Sequence, residues 1–190
     1  MLKEKLKEIF GYDEFRGNQE PIIQKLIEGN DILCVQPTGS GKSIIFQLTA
    51  AIVNGVAVVI SPLIALQSDQ MLFLDKKGIK TKCWNSSENT IPIAEDLMND
   101  NPETKLLYTT PESLFGGTLS RKLDILHQRN LISFIAIDEC HCISSWGRDF
   151  RPAYKQLGQI KSRWPGVQVI ALTATATKKV QEDIVGTLCI

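Results

Sequence analysis

Two stretches of this chain carry residues whose types and spacing could do chemistry. The first, QPTGSGKS at 36–43, combines two glycines with a lysine and a serine. The second, DECH at 138–141, sets two adjacent carboxylates at the end of an apolar run. A glycine loop with a lysine suits a phosphate group, and paired carboxylates suit a magnesium ion and a water molecule that attacks phosphorus. The two stretches together predict hydrolysis of a phosphate bond.

The glycine loop lies between a predicted strand and a predicted helix, which is the context that a phosphate-binding loop requires. Gly39 and Gly41 would let the backbone turn its N–H groups toward an anion, Lys42 would reach the β- and γ-phosphates, and the Ser43 hydroxyl would bind Mg²⁺. Gln36 stands where the common motif has glycine, and the alternative is a glycine-rich turn with a surface lysine. The residues predicted to bind the phosphates are Thr38, Gly39, Ser40, Gly41, Lys42 and Ser43.

The acids at 138 and 139 favour hydrolysis over transfer to a small substrate. Asp138 could hold the water shell of a magnesium ion opposite Ser43, and Glu139 could polarise the attacking water. The alternative is a pair of solvated acids at a strand end. We predict Lys42, Asp138 and Glu139 as catalytic residues, and Ser43 and Asp138 as magnesium ligands, Asp138 through water.

Cys140, His141 and Cys142 could also be taken for zinc ligands. Consecutive side chains diverge, however, and the sequence has no second cluster with C-x₂-C spacing, whereas structural zinc takes four ligands. We therefore predict that the two cysteines are packing residues. His141 is then a polar connector between the nucleotide site and the segment beside it.

Five apolar runs rich in valine and isoleucine predict strands that are buried on both faces, because apolar residues follow one another without alternation. The runs are DILCV (31–35), VAVVIS (56–61), KLLYTT (105–110), ISFIAID (132–138) and VQVIALT (167–173). Segments of helical periodicity lie between or after them, at 43–53, 63–74, 91–99 and 177–188. This alternation predicts a three-layer α/β fold with a mainly parallel central sheet, whose ligands collect at the carboxyl ends of the strands.

Composition limits the classes of protein that remain. The 190 residues, 43% of them hydrophobic, predict one domain over 1–190, with a helical layer at 1–29 before the first strand. Lysine plus arginine equals aspartate plus glutamate at 21 each, so any nucleic acid would have to bind a local patch and not a bulk positive field. Five scattered cysteines without a signal peptide predict reduced thiols and a nuclear or cytoplasmic location.

Six stretches resemble, in order, the motifs of the first RecA-like domain of RecQ-family ATP-dependent DNA helicases, within helicase superfamily 2. They are FGYDEFRGNQ (10–19), QPTGSGKS (36–43), SPLIALQSDQ (61–70), TTPES (109–113), DECH (138–141) and ALTATAT (171–177). The resemblance covers nearly the whole chain and implies a RecA-like P-loop fold, ATP and Mg²⁺ as cofactors, and an activity that couples ATP hydrolysis to 3′ to 5′ movement on single-stranded DNA. Single-stranded and partial duplex DNA are the implied partners, with roles in repair and recombination.

The resemblance also implies roles for individual residues. Arg16 and Gln19 would contact adenine. The stretch SSWGRDFRPAY at 144–154 is similar to the aromatic-rich loop by which RecQ helicases sense single-stranded DNA. In that loop the aromatic rings would stack on bases and the arginines would meet phosphates, although the rings could instead fill the core. The residues implied to contact DNA or couple it to hydrolysis are Ser61, Gln70, Thr110, His141, Trp146, Arg148, Phe150, Arg151, Thr173 and Thr175.

Some of these residues have a purely structural alternative, and two positions depart from the family. Ser61, Gln70 and Thr110 could cap helices, and the threonines of 171–177 could simply end a strand. Cys140 stands where the family commonly has alanine, and Arg148 where it commonly has histidine. Because of the second departure, the coupling contacts of the family cannot be transferred to this chain in detail.

The chain ends at Ile190, soon after the last of these motifs. The resemblance implies a second RecA-like domain that carries an arginine finger, which is worth about 10³–10⁵ in turnover. We therefore expect the chain to be part of a longer helicase and to be nearly inactive by itself. Two alternatives stay open, an RNA helicase of the DEAD/DEAH type and a nucleic-acid-binding module without turnover.

Overall fold

The computed structural model describes residues 1–37, 39–62, 64–86 and 89–190, with the backbone alone for 64–66. Its centre is a six-stranded sheet in the order β1-β6-β5-β2-β4-β3, and every neighbouring pair is parallel. The strands are β1 (Ile32–Val35), β2 (Val56–Ile60), β3 (Thr81–Trp84), β4 (Leu106–Thr109), β5 (Ile132–Ile137) and β6 (Val169–Thr173).

Helices cover both faces of the sheet. They are α1 (Leu2–Phe10), α2 (Gln19–Ile27), α3 (Lys42–Ile52), α4 (Ile64–Lys76), α5 (Ile91–Leu97), α6 (Pro111–Leu114), α7 (Thr118–Gln128), α8 (Ile160–Arg163) and α9 (Lys178–Leu188), with 3₁₀ helices at Cys140–Ile143 and Pro152–Gln159. Residues of β2 alternate between two apolar cores. Ala57 and Val59 pack with α1, α2 and α3, while Val58 and Ile60 pack with α5, α7 and α9. A strand enclosed in this way needs apolar residues at every position, which is why its sequence does not alternate.

The register brings four loops to one edge of the sheet. Ile60 of β2 pairs with Ile137 of β5, and β1 pairs with β6 so that Val35 lies beside Thr173. Hydrogen bonds continue beyond the strand ends, from Asp138 N to Ile60 O at 2.8 Å and from Gln36 N to Thr173 O at 3.1 Å. The loops that follow β1, β2, β5 and β6 therefore start close together, at the same edge of the sheet.

The predicted fold class is confirmed, because the sheet is open, parallel and enclosed by helices. Each of the five predicted strands contains an observed one. Strand β3 and helix α7 were not predicted. Strand β3 is a short edge strand, and α7 buries leucines 119, 123 and 126 at a helical spacing that would have revealed it. The assignment of 1–190 to one domain with a layer at 1–29 stays a prediction.

No helix in the described part of the chain is both long and apolar enough to cross a membrane.

Candidate nucleotide and nucleic-acid site

The glycine loop between β1 and α3 has the geometry of an anion cradle. Gly39 and Gly41 have φ angles of 84° and 76°, in the left-handed region that favours glycine. A Cβ at Gly41 would lie 2.5 Å from Gln19 Nε2, so a larger residue would collide with the side chain that braces the loop. Helix α3 begins directly after the loop, at Lys42, and directs its N-terminal N–H groups toward this edge. Thr38, predicted to bind phosphate, lies outside the described residues.

Two polar groups of this loop fit a phosphate ligand. The Ser40 hydroxyl oxygen is buried and has no hydrogen-bond partner among the residues that the structure describes. Lys42 Nζ donates to two carbonyl oxygens of its own loop, Gln36 O at 2.8 Å and Pro37 O at 3.2 Å. Carbonyl oxygens are weaker partners for an ammonium group than phosphate oxygens. The lysine is thus held at the loop by contacts that a phosphate could replace.

Gln19 ties the loop to the start of α2. Its side chain is buried, its Oε1 accepts from Arg16 N at 2.8 Å, and its Nε2 donates to Gly41 O at 3.0 Å. Beside it lies a cleft of about 270 Å³. The lining residues are Tyr12, Glu14, Arg16, Gln19, Gly39, Gly41 and Ile44. The cleft adjoins the phosphate loop where a nucleotide base would be expected, and the adenine contacts of Arg16 and Gln19 stay predictions.

Asp138 follows β5 and is partly buried close to the loop. Burial and, to a lesser extent, the adjacent Glu139 charge raise the pKa of the Asp138 carboxyl to about 6, while the Glu139 N–H, Lys42 and His141 oppose the rise. Tyr154 Oη donates to the Asp138 carbonyl oxygen at 3.0 Å, which fixes the backbone of this acid. Lys42 is therefore near enough to act on Asp138 electrostatically. A divalent cation would offset the burial cost of the carboxylate far more strongly.

Glu139 adopts a left-handed backbone conformation, with φ 55° and ψ 42°. A residue with a Cβ pays about 1–2 kcal/mol for that conformation. Its N–H donates to Asp138 Oδ1 at 3.0 Å, so the turn is closed by the neighbouring acid. The Glu139 side chain is 37% exposed, whereas Asp138, also partly buried, is desolvated enough for its pKa to be raised. The two carboxylates consequently have different environments, which suits different roles.

His141 connects the acids to β6 and to the following loop. Its Nδ1 lies 2.7 Å from Thr173 Oγ1 and 3.5 Å from Glu139 Oε2. Because the Thr173 hydroxyl donates to Thr175 O at 3.1 Å, it accepts from His141 Nδ1. The role of His141 as a connector stays a prediction. Cys140 and Cys142 are both fully buried in the core, as predicted.

The loop at 144–154 presents its first ring to solvent. Trp146 is 64% exposed, and Lys179 Nζ lies 3.3 Å from the centroid of its ring. Phe150 is 37% exposed. The core-filling alternative is therefore wrong for Trp146. Arg148 is exposed, whereas Arg151 Nε is buried without a hydrogen bond in the described chain and lies 3.9 Å from Asp149 Oδ1.

The other predicted nucleic-acid residues lie at the same edge of the sheet in structural contacts. Ser61 follows β2 and is buried. Gln70 Oε1 accepts from Tyr108 Oη at 2.7 Å, and Thr110 Oγ1 accepts from Ser113 N at 3.3 Å as the N-cap of α6. The capping alternative is thus observed for Thr110, and DNA contacts by these three residues stay predictions. The sequence interpretation assigned no role to Tyr154, Asp149 or Lys179, although all three lie within or close to quoted motifs.

Comparison with known proteins adds to this geometry. Residues 16–184 match a family model described as DEAD/DEAH box helicase. The chain is 41% identical to the rat "ATP-dependent DNA helicase Q5" and 42% identical to "ATP-dependent DNA helicase RecQ" of Haemophilus influenzae, over 98% and 94% of its length. It is 44% identical, over 96%, to a "Putative ATP-dependent RNA helicase R290" of Acanthamoeba polyphaga mimivirus. The resemblance to RecQ-family helicases is confirmed.

The chain spans 20%, 28% and 33% of the lengths of these three relatives, respectively. Among solved structures, the crystal structure of the DUF1998 helicase MrfA bound to DNA resembles it with a TM-score of 0.74 at 21% identity, over 97% of this chain and 28% of that one. At this identity the likeness supports the fold alone.

Proposed function

Because the chain belongs to the DEAD/DEAH box helicase family, we propose that it is the ATP-binding motor domain of a RecQ-type DNA helicase. The parent protein would couple ATP hydrolysis to 3′ to 5′ movement along single-stranded DNA and to duplex unwinding. One observation carries the proposal. A glycine loop and a pair of acids lie at one edge of the sheet, and an exposed aromatic loop follows the acids directly. A second RecA-like domain would complete the motor.

The phosphate loop would bind the triphosphate through its backbone N–H groups and Lys42. The ammonium group would leave the carbonyl oxygens of Gln36 and Pro37, which it contacts now, for phosphate oxygens. Ser43 and, through water, Asp138 would hold Mg²⁺. A bound magnesium ion supplies charge neutralisation at the phosphates. Gln19 would hold the phosphate loop and the cleft for the base in a fixed relative position, because its side chain bonds to both Arg16 and Gly41.

Glu139 is the residue that we assign to activation of water. Its carboxylate is partly exposed at the edge of the sheet, where it can reach a water molecule, and its backbone adopts a strained left-handed conformation of the kind found at functional sites. Asp138 is partly buried, and the rise in its pKa means that a bound cation would favour its carboxylate form. Lys42, Asp138 and Glu139 are the proposed catalytic residues. Turnover would also need an arginine finger from the second domain.

DNA would reach the acids through the aromatic loop. Trp146 and Phe150 would stack on bases, and Arg148 and Arg151 would meet phosphates. The path from this loop to the acids runs through His141, whose Nδ1 donates to Thr173 Oγ1 and whose Nε2 lies 3.6 Å from Asp149 Oδ2. Binding at one end of the path would therefore alter contacts at the other. Thr173 and Thr175 would carry the change to β6.

We expect Lys42→Ala to weaken Mg·ATP binding by this chain by roughly 10- to 150-fold, the value of a charged hydrogen bond of about 1.5–3 kcal/mol. The measurement is a fluorescence titration with an ATP analogue. Lys25→Ala is the matched control, because Lys25 is an exposed lysine on α2, away from the loop. Equal affinity of the Lys42 variant and the unaltered chain would remove the phosphate role of this lysine.

We expect Trp146→Ala to lower the affinity for single-stranded DNA by about 1–3 kcal/mol and to abolish DNA stimulation of ATP hydrolysis in the parent protein. Trp146→Phe keeps an aromatic face and is expected to retain most of both. The measurements are fluorescence anisotropy with an oligonucleotide and ATPase assays with and without DNA. Full stimulation in the alanine variant would contradict a sensing role.

One observation supports a second candidate, an RNA helicase. The mimivirus relative is named a putative RNA helicase, and it is 44% identical to this chain. The residues at the phosphate loop and the acids do not distinguish the two substrates. The two substrates can be distinguished by how strongly matched DNA and RNA oligonucleotides stimulate ATP hydrolysis. We expect the DNA strand to stimulate more, and a stronger response to RNA would favour the second candidate.

A further inference from the structure

Three side chains of different chemistry converge between the acids and the aromatic loop. Asp149 Oδ2 lies 3.6 Å from His141 Nε2 and 3.7 Å from Cys142 Sγ, and all three ligand atoms lie within 4.8 Å of one another. A tetrahedral zinc ion with bonds of about 2.0–2.3 Å separates its ligand atoms by roughly 3.3–3.8 Å. The distances from Asp149 Oδ2 to His141 Nε2 and to Cys142 Sγ, 3.6 Å and 3.7 Å, already fall within this range.

We propose that His141, Cys142 and Asp149 form a binding site for one zinc ion, with water as the fourth ligand. A nitrogen, a thiolate sulfur and a carboxylate oxygen favour zinc over magnesium, which takes oxygen ligands. This site is therefore distinct in its chemistry from the proposed magnesium site at Ser43 and Asp138. Cys140 does not belong to it, since the third donor comes from Asp149 and not from the adjacent cysteine.

The backbone holds the three residues together without a metal. His141 and Cys142 are adjacent residues of the short 3₁₀ helix at Cys140–Ile143. Arg151 N donates to Cys142 O at 3.0 Å, which closes the loop and returns Asp149 to the helix. At Gly147, a Cβ would lie 3.3 Å from His141 O, so the loop passes close above the histidine. The site is preorganised by contacts other than those of its ligands.

The two ring nitrogens of the histidine have different neighbours. Nδ1 is hydrogen-bonded to Thr173 Oγ1 at 2.7 Å. Nε2 is then the nitrogen left for an ion, on the side that faces Asp149. A hydrogen bond of this kind orients a histidine ligand and tunes its affinity. The other oxygen of Asp149, Oδ1, faces Arg151 Nε at 3.9 Å, which leaves Oδ2 for the ion.

Two of the three residues face solvent. A cleft of about 550 Å³ is lined by both His141 and Asp149, whereas Cys142 is buried, so an ion would have to enter from the side of the histidine and the aspartate. Binding would replace the thiol proton of Cys142, which passes to solvent. If the proposed function holds, a bound ion would fasten the aromatic loop to the segment after the acids. It would thereby oppose the loop movement that DNA sensing requires.

The test is a titration of the complete chain with Co²⁺, whose bond to a thiolate gives a charge-transfer band in the near ultraviolet. We expect one equivalent of Co²⁺ to produce the band and Zn²⁺ to displace it. Cys142→Ala and Asp149→Asn are each expected to abolish the band and to weaken Zn²⁺ binding at least tenfold. No ATP or DNA is present, so failure here would leave the proposed function untouched.

Two controls separate this site from adventitious binding. Cys189→Ser removes the exposed thiol, and Cys140→Ala removes a buried one that the site does not use. Both are expected to retain the band. Near-ultraviolet circular dichroism checks the fold, and Asp149→Asn keeps the test valid if Cys142→Ala unfolds, because the Asp149 side chain is 57% exposed. The proposal is wrong if equimolar Co²⁺ gives no band, if the band survives in a folded Asp149→Asn chain, or if Cys189→Ser alone removes it.

Discussion

Replacing Glu139 with glutamine is expected to lower ATP hydrolysis by the parent helicase by about 10²–10⁴-fold, the usual value of a positioned general base. The amide keeps the size of the side chain but cannot accept a proton. Binding of Mg·ATP should persist, since the phosphate loop and Asp138 are unchanged. DNA-stimulated ATPase assays measure the first quantity, and nucleotide titration of the chain measures the second.

The matched control for this variant is Glu182→Gln, because Glu182 is an exposed glutamate on α9. It should hydrolyse ATP at the rate of the unaltered protein. A Glu139→Gln protein that turns over at more than a tenth of that rate would assign the activation of water to another group. Loss of ATP binding together with hydrolysis would instead indicate that Glu139 supports the site structurally.

Replacing Asp138 with asparagine is expected to stabilise the nucleotide-free fold while it abolishes hydrolysis. Burial, with Glu139 beside it, raises the pKa of Asp138 from 3.8 to about 6, which corresponds to a loss of roughly 2–3 kcal/mol of stability when the group is ionised. Asparagine removes the charge and can still accept the Glu139 N–H at Oδ1. A substitution that stabilises the fold while it abolishes activity is expected where a residue serves function at the expense of stability.

The sign of the pH dependence follows from the direction of the pKa shift. Between pH 3.8 and about 6 the folded chain retains a proton on Asp138 that the unfolded chain has lost, so this group makes stability fall as the pH rises. The asparagine variant should therefore exceed the unaltered chain in stability above pH 6, and the gap should close toward pH 4. Urea unfolding at several pH values measures it, with Asp75→Asn, an exposed carboxylate, as control. An equal gap at all pH values would contradict the account.

The fold could be predicted where the sequence pattern is set by burial on both faces. Strand β2 is apolar at every position because two cores enclose it, and that signal needs no tertiary information. Strand β3 gave no such signal, since it lies at the sheet edge and exposes Lys82. These residues form a strand because they pair with β4. Trp84 pairs with Thr109, which is 25 residues away in the sequence.

Some parts of the candidate site could be predicted from the sequence, and others could not. The glycine loop and the acids are local patterns, whose residue types are dictated by the chemistry of phosphates and magnesium. The contact between Gln19 and Gly41 joins residues 22 positions apart, and the approach of Asp149 to Cys142 depends on how one loop closes. Contacts of this kind arise from packing, so residue spacing could not reveal them.

The central claim is that a triphosphate with its magnesium ion binds between the loop after β1 and the acids after β5. A crystal structure of the chain with Mg²⁺ and a non-hydrolysable ATP analogue tests it most directly. We predict phosphates against the backbone from Gly39 to Ser43, with the metal between the Ser43 hydroxyl and Asp138. A nucleotide bound elsewhere, or Asp138 turned away from the metal, would contradict the account.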